Sequence, residues 1–146
     1  MAKDFAGKRV IVMGGSRGIG RSIALGFAEQ GASVSICARN PGPLEAARRE
    51  IAALGVTAHG SSVDLADAKA IEAYVPQAVA ALGGLDVLVN NASGFGHADD
   101  EEGWAASLNV DMMAIVRGSH AAVPHMKPGS SIVNISSISA LRASSR

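Results

Sequence analysis

The stretch Val10-Ile11-Val12-Met13-Gly14-Gly15-Ser16-Arg17-Gly18-Ile19-Gly20 joins a short apolar run directly to a segment of helical period. A β-branched run followed by closely spaced glycines predicts a strand, a sharp turn and the first turn of a helix. Glycines let the backbone approach a bound group without an intervening Cβ, and the free N–H groups of a helix N-terminus attract negative charge. The stretch therefore predicts a pyrophosphate site, with a Gly-rich strand–helix corner that binds nothing as the alternative.

On either side of this turn, short β-branched runs alternate with longer Ala-rich segments. This alternation is typical of a parallel sheet covered by helices on both faces. Right-handed crossovers then predict a single α/β domain over residues 1–146, a Rossmann-type doubly wound sheet of strand order 3-2-1-4-5. We expect strands at 9–13, 33–38, 56–61, 87–90 and 131–135, helices at 18–30, 41–54, 67–82 and 104–126, and a loop at 93–103.

The composition favours a small-molecule partner. Formal net charge is +0 at pH 7, and Lys and Arg are scattered, so neither nucleic acid nor an anionic membrane is indicated. Cys37 is the one cysteine and lies in an apolar run, which predicts a small core residue and a protein of the reducing cytoplasm. No segment is long and apolar enough for a signal sequence or a membrane span. The four histidines, His59, His97, His120 and His125, lack metal-ligand spacing, so no metal is expected.

The glycine spacing Gly14, Gly18 and Gly20 resembles the TGxxxGxG turn of the short-chain dehydrogenase/reductase family, with Met13 where the family usually has Thr. The resemblance covers essentially the whole chain. It implies an oxidoreductase that transfers a hydride between a nicotinamide cofactor and a carbonyl or alcohol substrate. It also implies that the cofactor-binding residues of the turn are Gly14, Ser16, Arg17, Gly18, Ile19 and Gly20.

The second strand indicates which nicotinamide cofactor is bound. In a dinucleotide site, an acidic residue at its end accepts hydrogen bonds from the ribose hydroxyls and selects NAD. Here the strand ends in Arg39 and Asn40, and Arg17 lies in the turn that should face the same ribose. Two guanidiniums suit a 2′-phosphate, so NADP(H) is expected over NAD(H). The alternative is that both arginines are ordinary solvated residues.

Two further motifs support the cofactor site. Val63-Asp64-Leu65 follows the third strand and resembles the family segment that carries an adenine-contacting Asp, so Asp64 and Leu65 are expected at the cofactor. Helix N-capping would explain Asp64 equally well. Asn90-Asn91-Ala92-Ser93 ends the fourth strand and resembles the family's NNAG motif, with Ser93 in place of Gly. The resemblance implies that Asn90 braces the sheet, while Asn91, Ala92 and Ser93 border the cofactor.

The catalytic candidates lie in the last third of the chain. Asn109 is a poor helix former inside an apolar helix and resembles the family's helix Asn, which disturbs the helix locally and holds a water in the proton relay. A polar residue turned to solvent is its alternative. Ser137, which follows the fifth strand, resembles the family's catalytic Ser, whose hydroxyl hydrogen-bonds the substrate oxygen. Ser136 is the neighbour with which it could be confused.

The family's remaining catalytic pair, a YxxxK motif, does not occur in these 146 residues, and Tyr74, the one tyrosine, falls in an earlier helix. The resemblance implies that the pair would follow shortly after Arg146, in a segment that covers the fifth strand and completes a homo-oligomer. Two hypotheses therefore stand: the cofactor-binding portion of an NADP(H)-dependent enzyme, or a non-catalytic nucleotide-binding fragment or remnant. In either case we expect exposed apolar surface at the fifth strand, with aggregation or a covering partner as its consequence.

Overall fold

The structure, a computed structural model, describes residues 3–142 and contains a five-stranded parallel sheet of order β3-β2-β1-β4-β5. The predicted fold class and strand order are therefore confirmed. Residues 143–146, which precede the expected position of the Tyr–Lys pair, lie outside the described residues. The strands are β1 (Arg9–Met13), β2 (Ser33–Ala38), β3 (Ala58–Ser62), β4 (Leu85–Asn90) and β5 (Met126–Asn134).

The helices begin and end at residues with identifiable roles. Gly31 follows α1 with a φ of +89°, a conformation that favours glycine, and Pro41 occupies the first position of α2. The Asp67 carboxylate accepts a hydrogen bond from the Lys69 N–H and caps α3. The helices are α1 (Gly18–Glu29), α2 (Pro41–Ala53), α3 (Ala68–Leu82), α4 (Glu101–Ala106) and α5 (Ala114–Ala122).

The single helix predicted over 104–126 is wrong. Its first turn begins earlier, at Glu101, because the Asp100 carboxylate caps the Gly103 N–H, so the loop ends at Asp100 rather than Gly103. The segment Ser107–Met113 between α4 and α5 is a π-helix. After α5, one 3-10 turn at Val123–His125 leads into β5.

Strand bounds differ most at β5, while β3 begins two residues after its predicted start. β4 begins at Leu85, two residues before the prediction, and β5 begins at Met126, five residues before it. The early pairing of Leu85 with Met126 is followed by an irregularity, after which Val87 pairs with Ser131. Gly129, with a φ of +90°, lies in this interval. The first residues of β5 are mostly polar and include a glycine, so the sequence shows no strand pattern there. They form a strand because they pair with β4.

The core lies on both faces of the central strand. Val10 and Val12 of β1 pack with Ile36 and Ile51 beneath α1 and α2, while Ile11 faces the opposite layer beneath α3 and α5. All are fully buried. Such two-sided burial explains why the strand is a continuous apolar run rather than an alternating one.

The outer strand β5 is different, because its apolar side chains remain exposed. Ile132 and Val133 of β5, and Ile135 directly after it, retain 36%, 42% and 37% of their surface, which agrees with the exposed apolar sheet edge expected from the sequence. Aggregation or a covering partner stays a prediction. Within residues 3–142, none of the helices has the length and hydropathy needed to cross a membrane.

Tyr74 belongs to a buried polar cluster formed by side chains of β2, β3 and α3. Ser35 Oγ of β2 lies 2.7 Å from Tyr74 OH of α3 and 2.8 Å from His59 Nδ1 of β3. Burial raises the pKa of Tyr74 well above its usual value, and it raises the pKa of Cys37 to about 12. Tyr74 and Cys37 are therefore neutral structural residues, as the sequence indicates for Cys37.

His59 makes the stability of this cluster depend on pH. Desolvation, followed by the nearby Arg48 charge, lowers the pKa of His59 below its ordinary value. Stability from the neutral ring is thus fully present above about pH 6.5, the unfolded value, and is lost as pH falls through the lower folded value.

We expect His59→Asn to flatten the acid-side fall in the free energy of unfolding. Urea denaturation between about pH 7.5 and pH 5 measures it, with the exposed His120→Asn on α5 as the matched control. Equal pH slopes for the wild type and His59→Asn would contradict the assignment.

Candidate functional site

A cleft of about 650 Å³ opens at the carboxyl ends of the strands, where β1 is flanked by β2 on one side and β4 on the other. This is the switch point at which doubly wound sheets bind ligands, and the volume suits a small organic molecule. We refer to this space as the cleft. Predicted residues that line it are Gly14, Ser16, Arg17, Gly18, Ile19, Arg39, Asn40, Asp64, Leu65, Asn91, Ala92 and Ser93.

The glycine turn forms the floor of the cleft. Gly14 has a φ of +84° and Gly18 a φ of +55°, both in the left-handed region that glycine adopts at little cost. The N–H groups of Gly14 and Gly15 donate to the Cys37 carbonyl at 3.0 and 3.1 Å, which ties the turn to β2. The amino end of α1, beginning at Gly18, is thereby placed at the cleft wall.

Gly20 lies beneath the turn rather than in the cleft lining. A Cβ there would fall 2.0 Å from the Gly14 carbonyl oxygen and 2.4 Å from Asn91 Nδ2. Those two atoms are themselves hydrogen-bonded, with Asn91 Nδ2 donating to the Gly14 oxygen at 3.0 Å. Gly20 therefore allows α1 to pack against the bond that joins β4 to the glycine turn.

Among residues 3–142, four arginines form ion pairs, two others line the cleft, and Arg117 and Arg142 do neither. Arg9 bonds Asp86, Arg21 bonds Glu50, and Arg48 and Arg49 both bond Glu45, whose pKa their hydrogen bonds lower to about 2. Arg17 and Arg39 line the cleft, and among residues 3–142 neither has a carboxylate within ion-pair distance.

The chain matches the family model described as short chain dehydrogenase over residues 8–146. It belongs to the short-chain dehydrogenase family. A Rhizobium meliloti relative named probable galactose dehydrogenase GalD is 37% identical over 151 residues, which cover 94% of this chain and 57% of the relative.

Solved structures agree with this assignment. A short-chain dehydrogenase from Burkholderia cenocepacia in complex with NADP is 40% identical, with a TM-score of 0.91 over 96% of this chain and 59% of its own. An NAD+-bound xylitol dehydrogenase is 25% identical, with a TM-score of 0.89 over 97% of this chain and 57% of its own. This short-chain dehydrogenase chain thus spans less than two-thirds of each of these relatives.

Asp64 does not cap a helix, so the capping alternative for this family position is wrong. Its carboxylate accepts from the Ala66 N–H at 3.0 Å, whereas Asp67 caps α3. The Asp64 side chain remains exposed at the cleft, and Leu65 packs into the core beside it. The local turn therefore leaves the carboxylate facing the space that a ligand would fill.

Asn90 braces the sheet, as the family motif implies. Its buried side chain donates through Nδ2 to Asn134 Oδ1 at 2.8 Å, joining the ends of β4 and β5. Met13, which replaces the family Thr, is buried with its Sδ 3.9 Å from Cys37 Sγ. The Met13 side chain therefore packs in the core at a position where the family usually has a Thr hydroxyl.

The two catalytic candidates lie outside the cleft lining. The Asn109 carbonyl accepts the Ala114 N–H, five residues on, within the π-helix. This is the local helix disturbance that the family resemblance implies. Ser137 is exposed after β5, and its Oγ accepts from the Ser139 N–H at 3.2 Å. The structure does not bring these two residues together with the glycine turn in one enclosed site.

Several cleft residues carry no motif and were missed by sequence reasoning. The most distinctive is Phe95, at the end of the family's Asn-Asn motif, with a φ of +52°. A lone aromatic side chain in a Gly-rich loop is the only signal that could have marked it. The others are Ala38, Pro43, Val63, Ala66, Gly94, Ala106, Val110 and Ile135.

We expect Gly20→Ala to lower the free energy of unfolding by about 1–3 kcal/mol, because its methyl group would displace the Gly14–Asn91 bond. Gly26→Ala, in the same helix, has open space around the added Cβ and should stabilise the chain by about 0.5–1 kcal/mol. Urea denaturation measures both variants. Equal effects of the two substitutions would show that the turn is not closely packed.

Proposed function

We propose that the cleft binds NADP(H) and that the protein is an oxidoreductase that transfers a hydride between the nicotinamide and a carbonyl or alcohol substrate. The observation that carries the proposal is the pair of cleft arginines without carboxylate partners among residues 3–142. Two positive side chains, Arg39 after β2 and Arg17 in the glycine turn, suit an anion in the cleft.

The residues present fit a dinucleotide. A Cβ at Gly14 would lie 2.9 Å from Ala92 Cα, so only glycine allows the turn to approach the Ala92 backbone this closely. The N-terminus of α1 offers N–H donors to a pyrophosphate, for which Gly14, Ser16, Gly18 and Ile19 form the cradle. Gly20 supports that cradle from below. Asp64, Leu65, Asn91, Ala92 and Ser93 would border the remainder of the cofactor.

The choice of NADP(H) over NAD(H) rests on charge at the β2 end. Arg39 and Asn40 occupy the place where a carboxylate would repel a 2′-phosphate, and Arg17 lines the same cleft. Ser62 Oγ donates to the Arg39 carbonyl at 2.9 Å and holds this turn. The Burkholderia cenocepacia relative in complex with NADP supports the choice, while the NAD+-bound xylitol dehydrogenase represents the alternative within the family.

The bound nicotinamide would supply or accept the hydride at the substrate carbon. In the proposed reaction, residues of this chain position the substrate oxygen and hold groups of the path along which its proton moves. Ser137 Oγ already accepts the Ser139 N–H, so its own hydroxyl proton is free to be donated to a substrate oxygen. Asn109 is proposed to hold a water of the proton relay from its place in the π-helix. In reduction, the carbonyl carbon gains the hydride and the oxygen gains a proton.

A cytoplasmic location and a homo-oligomeric assembly are also proposed. The buried free Cys37 fits a reducing compartment, and the exposed apolar side chains of β5 provide surface for covering. The zero formal net charge supports a small-molecule substrate rather than a nucleic-acid partner.

Isothermal titration of the 146-residue chain with NADPH and with NADH tests the cofactor assignment. We expect NADPH to bind more tightly, and Arg39→Ala to weaken NADPH binding about ten- to a hundredfold while NADH changes little. The reason is that the guanidinium meets only the 2′-phosphate. The control is Arg49→Ala, which removes the same charge from the exposed face of α2 outside the cleft lining. Equal affinities for NADPH and NADH in the wild type would refute the preference.

A further inference from the structure

Phe95 is, among residues 3–142, the only non-glycine residue with a positive φ, at +52°. This conformation is unfavourable for a bulky side chain, and such strain persists only where surrounding structure imposes it. The phenyl ring nevertheless stays 59% exposed and lines the cleft. Strain that is not repaid by burial points to a role in binding.

Hydrogen bonds hold the loop backbone on both sides of Phe95, at Gly94 and at Gly96. The Gly94 N–H donates to Asp111 Oδ2 at 3.1 Å, and Ser107 Oγ donates to the Gly96 carbonyl at 3.3 Å. A Cβ at Gly94 would lie 2.3 Å from the Ala106 oxygen, and one at Gly96 would lie 2.0 Å from the Gly103 oxygen. The backbone is thus pressed onto α4 and the π-helix, and only the Phe95 side chain can project away from them.

The β4 side of the cleft, where Phe95 lies, has no charged lining residue, although Asn91 and Ser93 are polar. Its other lining residues include Ala106, Val110 and Ile135, whereas Arg39 and Asp64 follow β2 and β3 on the opposite side of β1. Asp111 of the π-helix accepts a hydrogen bond from the Gly94 N–H in this region. A charged substrate group would find no opposite charge here among the described lining residues.

We propose that Phe95 is a specificity-determining residue, which selects uncharged carbonyl or alcohol substrates bearing an apolar ring over small charged ones. The ring offers a face or edge to an aromatic or alicyclic group, and the clamped loop keeps it in place before the substrate arrives. This inference rests on the proposed function, because the reacting substrate must lie beside the nicotinamide. It adds the substrate class, which the glycine turn and the arginines leave open.

Binding of two probes to the 146-residue chain saturated with NADP+ tests the inference, since NADP+ prevents reduction of a carbonyl. The probes are acetophenone, which is uncharged and aromatic, and pyruvate, which is small and anionic, with affinities measured by ligand-observed NMR titration. We expect acetophenone to bind and pyruvate to bind at least tenfold more weakly. Phe95→Gly, which removes the ring and suits the positive φ, should weaken acetophenone binding about tenfold, and Phe95→Tyr should retain it.

The matched control is Trp104→Ala, because Trp104 is an aromatic residue with the same 59% exposure but outside the cleft lining. It should leave acetophenone affinity within twofold, and NADP+ affinity should be unchanged in every variant. Acetophenone binding that is absent, unaffected by Phe95→Gly, or no tighter than that of pyruvate, with NADP+ still bound, overturns the inference alone. Failure of the wild type to bind NADP+ overturns the proposed function together with it.

Discussion

The hydrogen bond from Asn91 Nδ2 to the Gly14 carbonyl is the contact on which the arrangement of the cleft depends. It crosses from the end of β4 to the end of β1, the two strands that flank the switch point of the sheet. Because Gly20 has no side chain, α1 can begin directly beside this bond. A single polar contact thereby sets the positions of a helix N-terminus, a glycine turn and the loop that continues to Phe95.

The arginines in and around the cleft differ in whether they form ion pairs with carboxylates. Four arginines outside the cleft are bound to carboxylates, as Arg9 is to Asp86 between the amino ends of β1 and β4. Arg17 and Arg39 stand apart from any described carboxylate, and both face the cleft. An unpaired guanidinium in a concave site is attractive to an anionic ligand, whereas a paired surface guanidinium contributes little to binding or to stability.

Much of the fold could be predicted because its signals are local. Val10, Val12 and the glycines after them have a pattern that only a buried strand and a tight turn satisfy, and Pro41 and Gly31 mark helix boundaries through their own dihedral preferences. The sequence-based predictions fail where contacts with neighbouring elements determine the local structure. Helical periodicity continues through 107–113, and periodicity alone cannot distinguish an α-helix from a π-helix. The lead-in to β5 at Met126 is a strand only because Leu85 pairs with it.

By itself, the sequence determined the doubly wound architecture and the position of the glycine turn, since both follow from short-range periodicity and backbone preference. The cleft residues that carry motifs were implied by the resemblance to the family. Only the tertiary structure decided that Asp64 faces the cleft instead of capping α3, that Arg17 and Arg39 lack carboxylate partners among the described residues, and that Phe95 is held in a strained conformation. The physical reason is distance along the chain. Hydrogen bonds such as those of Gly94 with Asp111 join residues far apart in sequence, and no local pattern records them.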